Sequence, residues 1–136
     1  IMSKLQSMAM NLCAGKNIRL HTNIDKDLLN DHPEMHARKN LYLFLKEALN
    51  NAVKYSGGKN LFFSLKKNDE TIVAEIRDDG KGFDRQTYGG GNGLNNMRTR
   101  ANELNGQFTL DSAPGNGTIV RLQFNFHPAG GRHKVV

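Results

Sequence analysis

The stretch Leu61-Phe62-Phe63-Ser64-Leu65-Lys66-Lys67-Asn68-Asp69-Glu70-Thr71-Ile72-Val73-Ala74-Glu75-Ile76 decides the architecture. Leu61, Phe63 and Leu65 recur at every second position in its first half, and Ile72, Ala74 and Ile76 do so in its second. A period of two predicts strands with one buried face. Lys67-Asn68-Asp69-Glu70 between them predicts a hairpin turn, which makes the two strands antiparallel neighbours.

Upstream, Leu41, Leu45, Ala48, Leu49 and Ala52 form one apolar stripe and predict a helix from about Glu34 to Tyr55. Ser56-Gly57-Gly58 terminates it. Ile18, Leu20, Thr22 and Ile24 alternate with Arg19, His21 and Asn23 and predict a half-buried strand. Asp25 to Pro33 is a polar connection. Leu5, Met8 and Leu12 sit at helical spacing within residues 1–14, and Gly15 is expected to stop that run.

Downstream, Leu94, Met97, Ala101 and Leu104 predict a second full helix, closed by Asn105-Gly106. Phe108 and Leu110 give a strand, Pro114 to Gly117 a turn, and Val120, Leu122, Phe124 and Phe126 a last strand. Helices and hairpin strands mixed in this way predict an α+β two-layer sandwich: a mixed, mostly antiparallel sheet with helices packed on one face.

The 136 residues are enough for one domain with a real core. No apolar run approaches the roughly 20 residues that span a bilayer, and the start Ile1-Met2-Ser3-Lys4 lacks the plan of a signal peptide. A start at Ile1 suggests a piece of a longer protein. The lone Cys13 forms no internal disulfide and points to a reducing compartment. The net charge of +6 favours anionic partners. A nucleic-acid-binding module would show a dense basic stripe with interleaved aromatics, whereas the longest basic run is Lys66-Lys67 and Trp is absent.

Polar clusters then carry the chemistry. Glu47, Asn51 and Lys54 are spaced to share one face of the long helix, nearly opposite its apolar stripe. Alone, that face reads as ordinary solvated surface. The pair Asn50-Asn51 weakens this, because two mid-helix Asn residues cost stability. An amide oxygen suits Mg²⁺ and a lysine suits a phosphate. Glu47 has the chemistry to orient or deprotonate a metal-bound water or an acceptor group.

Asp78-Asp79-Gly80-Lys81-Gly82 follows a strand and also reads as a plain turn. Functionally, the Asp78 carboxylate accepts a hydrogen bond from the exocyclic amine of adenine, whereas guanine places an oxygen there. Gly80 and Gly82 let backbone approach closely. Gly89-Gly90-Gly91-Asn92-Gly93-Leu94 opens a helix, and its amides suit phosphates. A flexible linker explains it equally well. The loop matches neither the P-loop nor the dinucleotide fingerprint.

In order, these clusters resemble a known family. The N box (Glu47 to Lys54, then Tyr55), the G1 box (Asp78 to Gly82), the G2 box (Gly91 to Leu94) and a GxGT box (Gly115 to Thr118) look like the catalytic, ATP-binding domain of a bacterial sensor histidine kinase, within the GHKL superfamily that includes DNA gyrase. The resemblance implies a Bergerat fold over residues 16–127. Residues 1–15 would be the end of a preceding dimerisation helix and 128–136 a disordered tail.

The resemblance further implies ATP bound as its Mg²⁺ complex. Asn51 is then the metal ligand, and Asp78 binds the adenine amine with Thr118 nearby. Asn50, Lys54, Tyr55, Gly80, Gly82, Gly91, Gly93 and Leu94 complete the nucleotide site, and residues 84–93 form a lid. Glu47 matches the general base of hydrolysing relatives. The expected partners are a His-bearing dimerisation domain and a response regulator. None of His21, His32, His36, His127 and His133 sits where an acceptor is expected. The expected location is cytoplasmic, whether or not the parent is an inner-membrane sensor. A GHKL-type ATPase or a serine kinase is the alternative.

Overall fold

The computed structural model describes residues 2–26, 35–55, 57–82 and 93–125. In chain order the elements are α1 (Met2–Gly15), β1 (Arg19–Ile24), α2 (Met35–Tyr55), β2 (Asn60–Asn68), β3 (Thr71–Asp78), α3 (Gly93–Glu103), β4 (Gln107–Ser112) and β5 (Thr118–Asn125). Phe126, the tail 128–136, Gly91, lid residues 84–92, His32, His127 and His133 lie outside the described residues.

One five-stranded sheet has the order β1-β2-β3-β5-β4. β1 runs parallel to β2, and the other pairings are antiparallel. The predicted hairpin forms, with Asn68 opposite Thr71 and a left-handed Asp69 (φ 56°) in the turn. Register sorts the side chains into rows across the sheet. Leu65, Ala74, Leu122 and Phe108 make one row, and Phe63, Ile76, Val120 and Leu110 the next. These rows face the helices. Leu5, Ala9 and Cys13 from α1, Leu41, Phe44, Leu45, Ala48, Leu49 and Val53 from α2, and Met97, Ala101 and Leu104 from α3 join them in one core. Cys13 is thus a packing residue, and its burial raises the thiol pKa.

α1 ends at Gly15 as expected, and the left-handed residue that then turns the chain is Asn17 (φ 57°). Asn tolerates that conformation because its short amide bonds locally. One expectation needs correction, in α2. Phe44 is buried and meets Phe108 edge-on at 5.4 Å, and Val53 is buried as well. The apolar stripe is therefore wider than Leu41, Leu45 and Ala52 suggest, because α3 packs along one flank of α2. No described helix is long and apolar enough to cross a membrane.

Leu49 is completely buried where α2 meets the sheet. Leu49→Ala is expected to cost about 2–5 kcal/mol. A shift of the urea midpoint at unchanged slope measures it.

Candidate functional site

The third row across the sheet reads Leu61, Asp78, Thr118, Ser112. It lies on the helix-facing side, in phase with the apolar rows. Asp78 thus stands where the alternation of β3 calls for a core residue, and it is only 6% exposed. Its Oδ1 accepts the Gly80 N–H at 2.9 Å. Across the strand pair, Ser112 Oγ lies 2.8 Å from Thr118 Oγ1 and donates to the Gly117 carbonyl at 3.0 Å.

Two turns are pressed together beneath this row. Gly82 (φ 66°) has no room for a side chain: a Cβ would stand 2.1 Å from the Ala113 carbonyl oxygen. At Gly117 (φ 72°) a Cβ would stand 2.2 Å from the Asp78 carbonyl oxygen. Gly115 N–H donates to the Lys81 carbonyl. The acidic-glycine turn and the Pro114–Gly117 turn, remote in sequence, form one unit.

Asp79 does different work from Asp78. Its Oδ1 accepts the Lys59 and Asn60 N–H groups, each at 2.9 Å, and its Oδ2 accepts Asn60 Nδ2 at 2.8 Å. The Asn60 side-chain amide and then its backbone N–H hold this carboxyl pKa below the ordinary carboxylate range. Asn60 Oδ1 in turn accepts from His21 Nε2 at 2.9 Å. Gly58 closes the arrangement, since a Cβ there would lie 2.5 Å from Asp79 Oδ1. The chain leaving α2 is therefore clamped to the turn that carries Asp78.

That clamp sets where α2 ends. β2 begins at Asn60, beside the end of β3, so the last turn of α2 lies at the Asp78 end of the sheet. α3 arrives there too. Its C-terminus feeds the start of β4, which is the far end, so its N-terminus at Gly93 points back toward Ser112 and Thr118. Arg100 Nη1 donates to the buried Asn40 Oδ1 at 3.4 Å, which links the start of α2 to the end of α3, as an antiparallel pair requires. Asn51 is roughly 16 Å along α2 from Asn40, and Gly93 roughly 10 Å back along α3 from Arg100, at 1.5 Å per residue.

Asn40, Phe44, Glu47 and Asn51 hence line the flank that faces α3. The expected polar face is not opposite the core but at its margin. Glu47 and Asn51 are half-buried and Lys54 is exposed. Asn51 Nδ2 is buried with no hydrogen-bond partner among the described residues. A buried amide without a partner is costly, which makes Asn51 a candidate site residue. Asn50 is committed elsewhere, since its Nδ2 donates to the Lys46 carbonyl at 3.0 Å. Tyr55 ends α2, Gly93 opens α3 and Leu94 is half-buried beside it.

Register and turn contacts bring Asp78, Gly80, Gly82 and Thr118 together, while element order directs the last turn of α2, with Asn51, and the start of α3, with Gly93 and Leu94, toward that end of the sheet. A buried carboxylate there suits a ring edge that donates hydrogen bonds. The first N–H groups of a helix have no partner within it, so the start of α3 suits an anion. The region offers both needs of a nucleotide. Ser112 and Asp79 escaped the sequence reading, because only register and turn packing expose their partners.

Comparisons with known proteins show the family and the fold. Residues 36–128 match the family described as histidine kinase-, DNA gyrase B-, and HSP90-like ATPase. The oxygen sensor histidine kinase NreB of Staphylococcus carnosus (strain TM300) is 36% identical over 111 residues, covering 80% of this chain and 31% of that protein. The sensor protein VraS of Staphylococcus aureus (strain COL) is 33% identical over 88 residues, covering 61% of this chain and 24% of that one. The chain thus spans a third or less of these relatives' length. Among solved structures, the histidine kinase domain of the Erythrobacter litoralis EL346 blue-light activated histidine kinase superposes with TM-score 0.77 at 16% identity, covering 90% of this chain and 59% of that one. The Acinetobacter baumannii histidine kinase AdeS gives 0.70 at 15%, covering 91% and 62%. Identities this low bear on the fold alone.

Gly117→Ala should destabilise the fold by about 1–3 kcal/mol, since it adds strain at a positive φ. Chemical unfolding reads this directly. Asp79→Ala should cost about 1 kcal/mol at neutral pH, after discounting for its exposed setting. Because folding lowers the Asp79 pKa, its contribution is complete above the ordinary value of 3.8 and fades as pH falls below it. The stability gap to wild type should therefore narrow in acid, and a gap that widened would contradict the clamp.

Proposed function

This chain belongs to the family of histidine kinase-, DNA gyrase B- and HSP90-like ATPases, and we propose that it is the ATP-binding catalytic domain of a sensor histidine kinase. Asp78 carries the reading: a carboxylate occupies a core position of β3, beside Thr118 and at the end of the sheet where α2 and α3 converge. In this reading Asp78 accepts from the adenine amine, with Thr118 alongside. Lys54 and the amides of Gly91, Gly93 and Leu94 serve the phosphates, and Tyr55 and the remaining carbonyl of the Asn50 amide border the nucleotide. Gly80 and Gly82 shape the turn beside the base. Residues 84–93 act as the lid.

The donor set fits magnesium. Mg²⁺ takes one or two protein oxygens and keeps phosphates and waters as its other ligands. Asn51, with a buried amide that lacks a partner among the described residues, supplies such a group. The ion would neutralise phosphate charge there. An amide turns over readily, and the flipped form points its oxygen into the same space. Glu47 lies one helical turn before Asn51 on the α3-facing flank, placed to act as a base or to orient an acceptor.

The whole protein would pass the γ-phosphoryl of ATP to a histidine nitrogen on a separate dimerisation domain, releasing ADP. An aspartate on a response regulator would then receive it. The chain's own contribution is to position and orient ATP. The site would work in the cytoplasm, where ATP is supplied.

Asp78→Asn and Asn51→Asp should each weaken Mg·ATP binding by about a hundredfold, because each leaves a buried polar group mispaired. Titration calorimetry measures the affinity, and circular dichroism confirms that each variant is folded. Unchanged affinity in both variants would remove the site.

A further inference from the structure

Ser112 lies at the end of the Asp78 row, yet no motif includes it. Its hydroxyl carries a single proton, and that proton goes to the Gly117 carbonyl at 3.0 Å, an atom that can only accept. The same Oγ stands 2.8 Å from Thr118 Oγ1. Assigning the Ser112 proton to the Gly117 carbonyl makes Ser112 the acceptor and Thr118 the donor in this pair. Gly117, which carries that carbonyl, packs closely against the Asp78 backbone.

We propose that Ser112 sets the hydrogen-bond polarity of the base pocket. By taking the Thr118 proton, it leaves Thr118 presenting only lone pairs next to Asp78, its cross-strand neighbour. Two acceptors side by side suit an exocyclic amine, which offers two N–H groups. They repel a ring that carries a carbonyl at the same place. Ser112 is thus a positioning residue for base selectivity and acts through Thr118. The inference rests on the nucleotide site proposed above.

Removing the Ser112 hydroxyl frees the Thr118 proton to turn toward the pocket and donate to a carbonyl. In Ser112→Ala, ATP affinity should fall by about three- to tenfold, and the preference for ATP over GTP should narrow by a similar factor. Calorimetric titration of the same protein with each nucleotide gives both numbers, and thermal unfolding checks the fold. Ser112→Thr keeps a hydroxyl and should restore the preference. Thr118→Val removes the intermediary, so Ser112→Ala in that background should change the preference no further. A merely structural Ser112 would weaken both nucleotides equally in Ser112→Ala, and that result overturns the proposal. So does a full effect of Ser112→Ala in the Thr118→Val background. Asp78→Asn separates the two levels. If it leaves ATP binding intact, the base site itself is misplaced; if it destroys binding while Ser112→Ala leaves the preference unchanged, only the role of Ser112 fails.

Discussion

At Gly117 the chain passes so close to the carbonyl of Asp78 that a Cβ would lie 2.2 Å from its oxygen, and Gly82 meets Ala113 at 2.1 Å in the same sense. This double close approach joins the turn after β3 to the turn before β5. Without it the two turns would stand apart by the width of a side chain, and the row from Asp78 to Ser112 would not close. Both glycines have positive φ, so the backbone conformation and the missing Cβ are demanded together.

From that junction the remaining parts fall into place by short steps. Asp79 holds Lys59 and Asn60, which brings the end of α2 to the turn. Asn60 also engages His21, so edge strand β1 is tied to the same point. On the outer face of the sheet, Phe62 is covered by the His21 ring, 4.6 Å away, and by the Arg77 guanidinium at 4.5 Å. Two adjacent carboxylates therefore divide the labour. Asp78 faces the helices and the proposed ligand, while Asp79 holds the frame.

The pairing of α2 with α3 explains why Asn51 is half-buried. A helix lying alone on a sheet would expose the arc that carries Glu47, Asn51 and Lys54. α3 packs along α2, with Met97 and Ala101 buried in the shared core and Arg100 bonded to Asn40. The Asn51 amide loses water without gaining a partner among the described residues. Such a group is tolerated where a ligand completes it, which ties helix packing to the proposed magnesium ligand.

Local pattern was enough to read the strands, the hairpin at Asp69 and the apolar stripe of α2, because alternation and helical spacing are written residue by residue. Asp78 was legible in the same way: it follows Ile72, Ala74 and Ile76 in phase. The order of the polar clusters was legible too. The sequence could not show that Ser112 stands opposite Thr118, that Gly82 and Gly117 are wedged against other strands, or that Asn51 sits at the margin of the core. Each of those depends on which strand pairs with which and on a second helix arriving from far along the chain. Contacts between residues distant in sequence come from packing, and only the folded structure brings those atoms within range of one another.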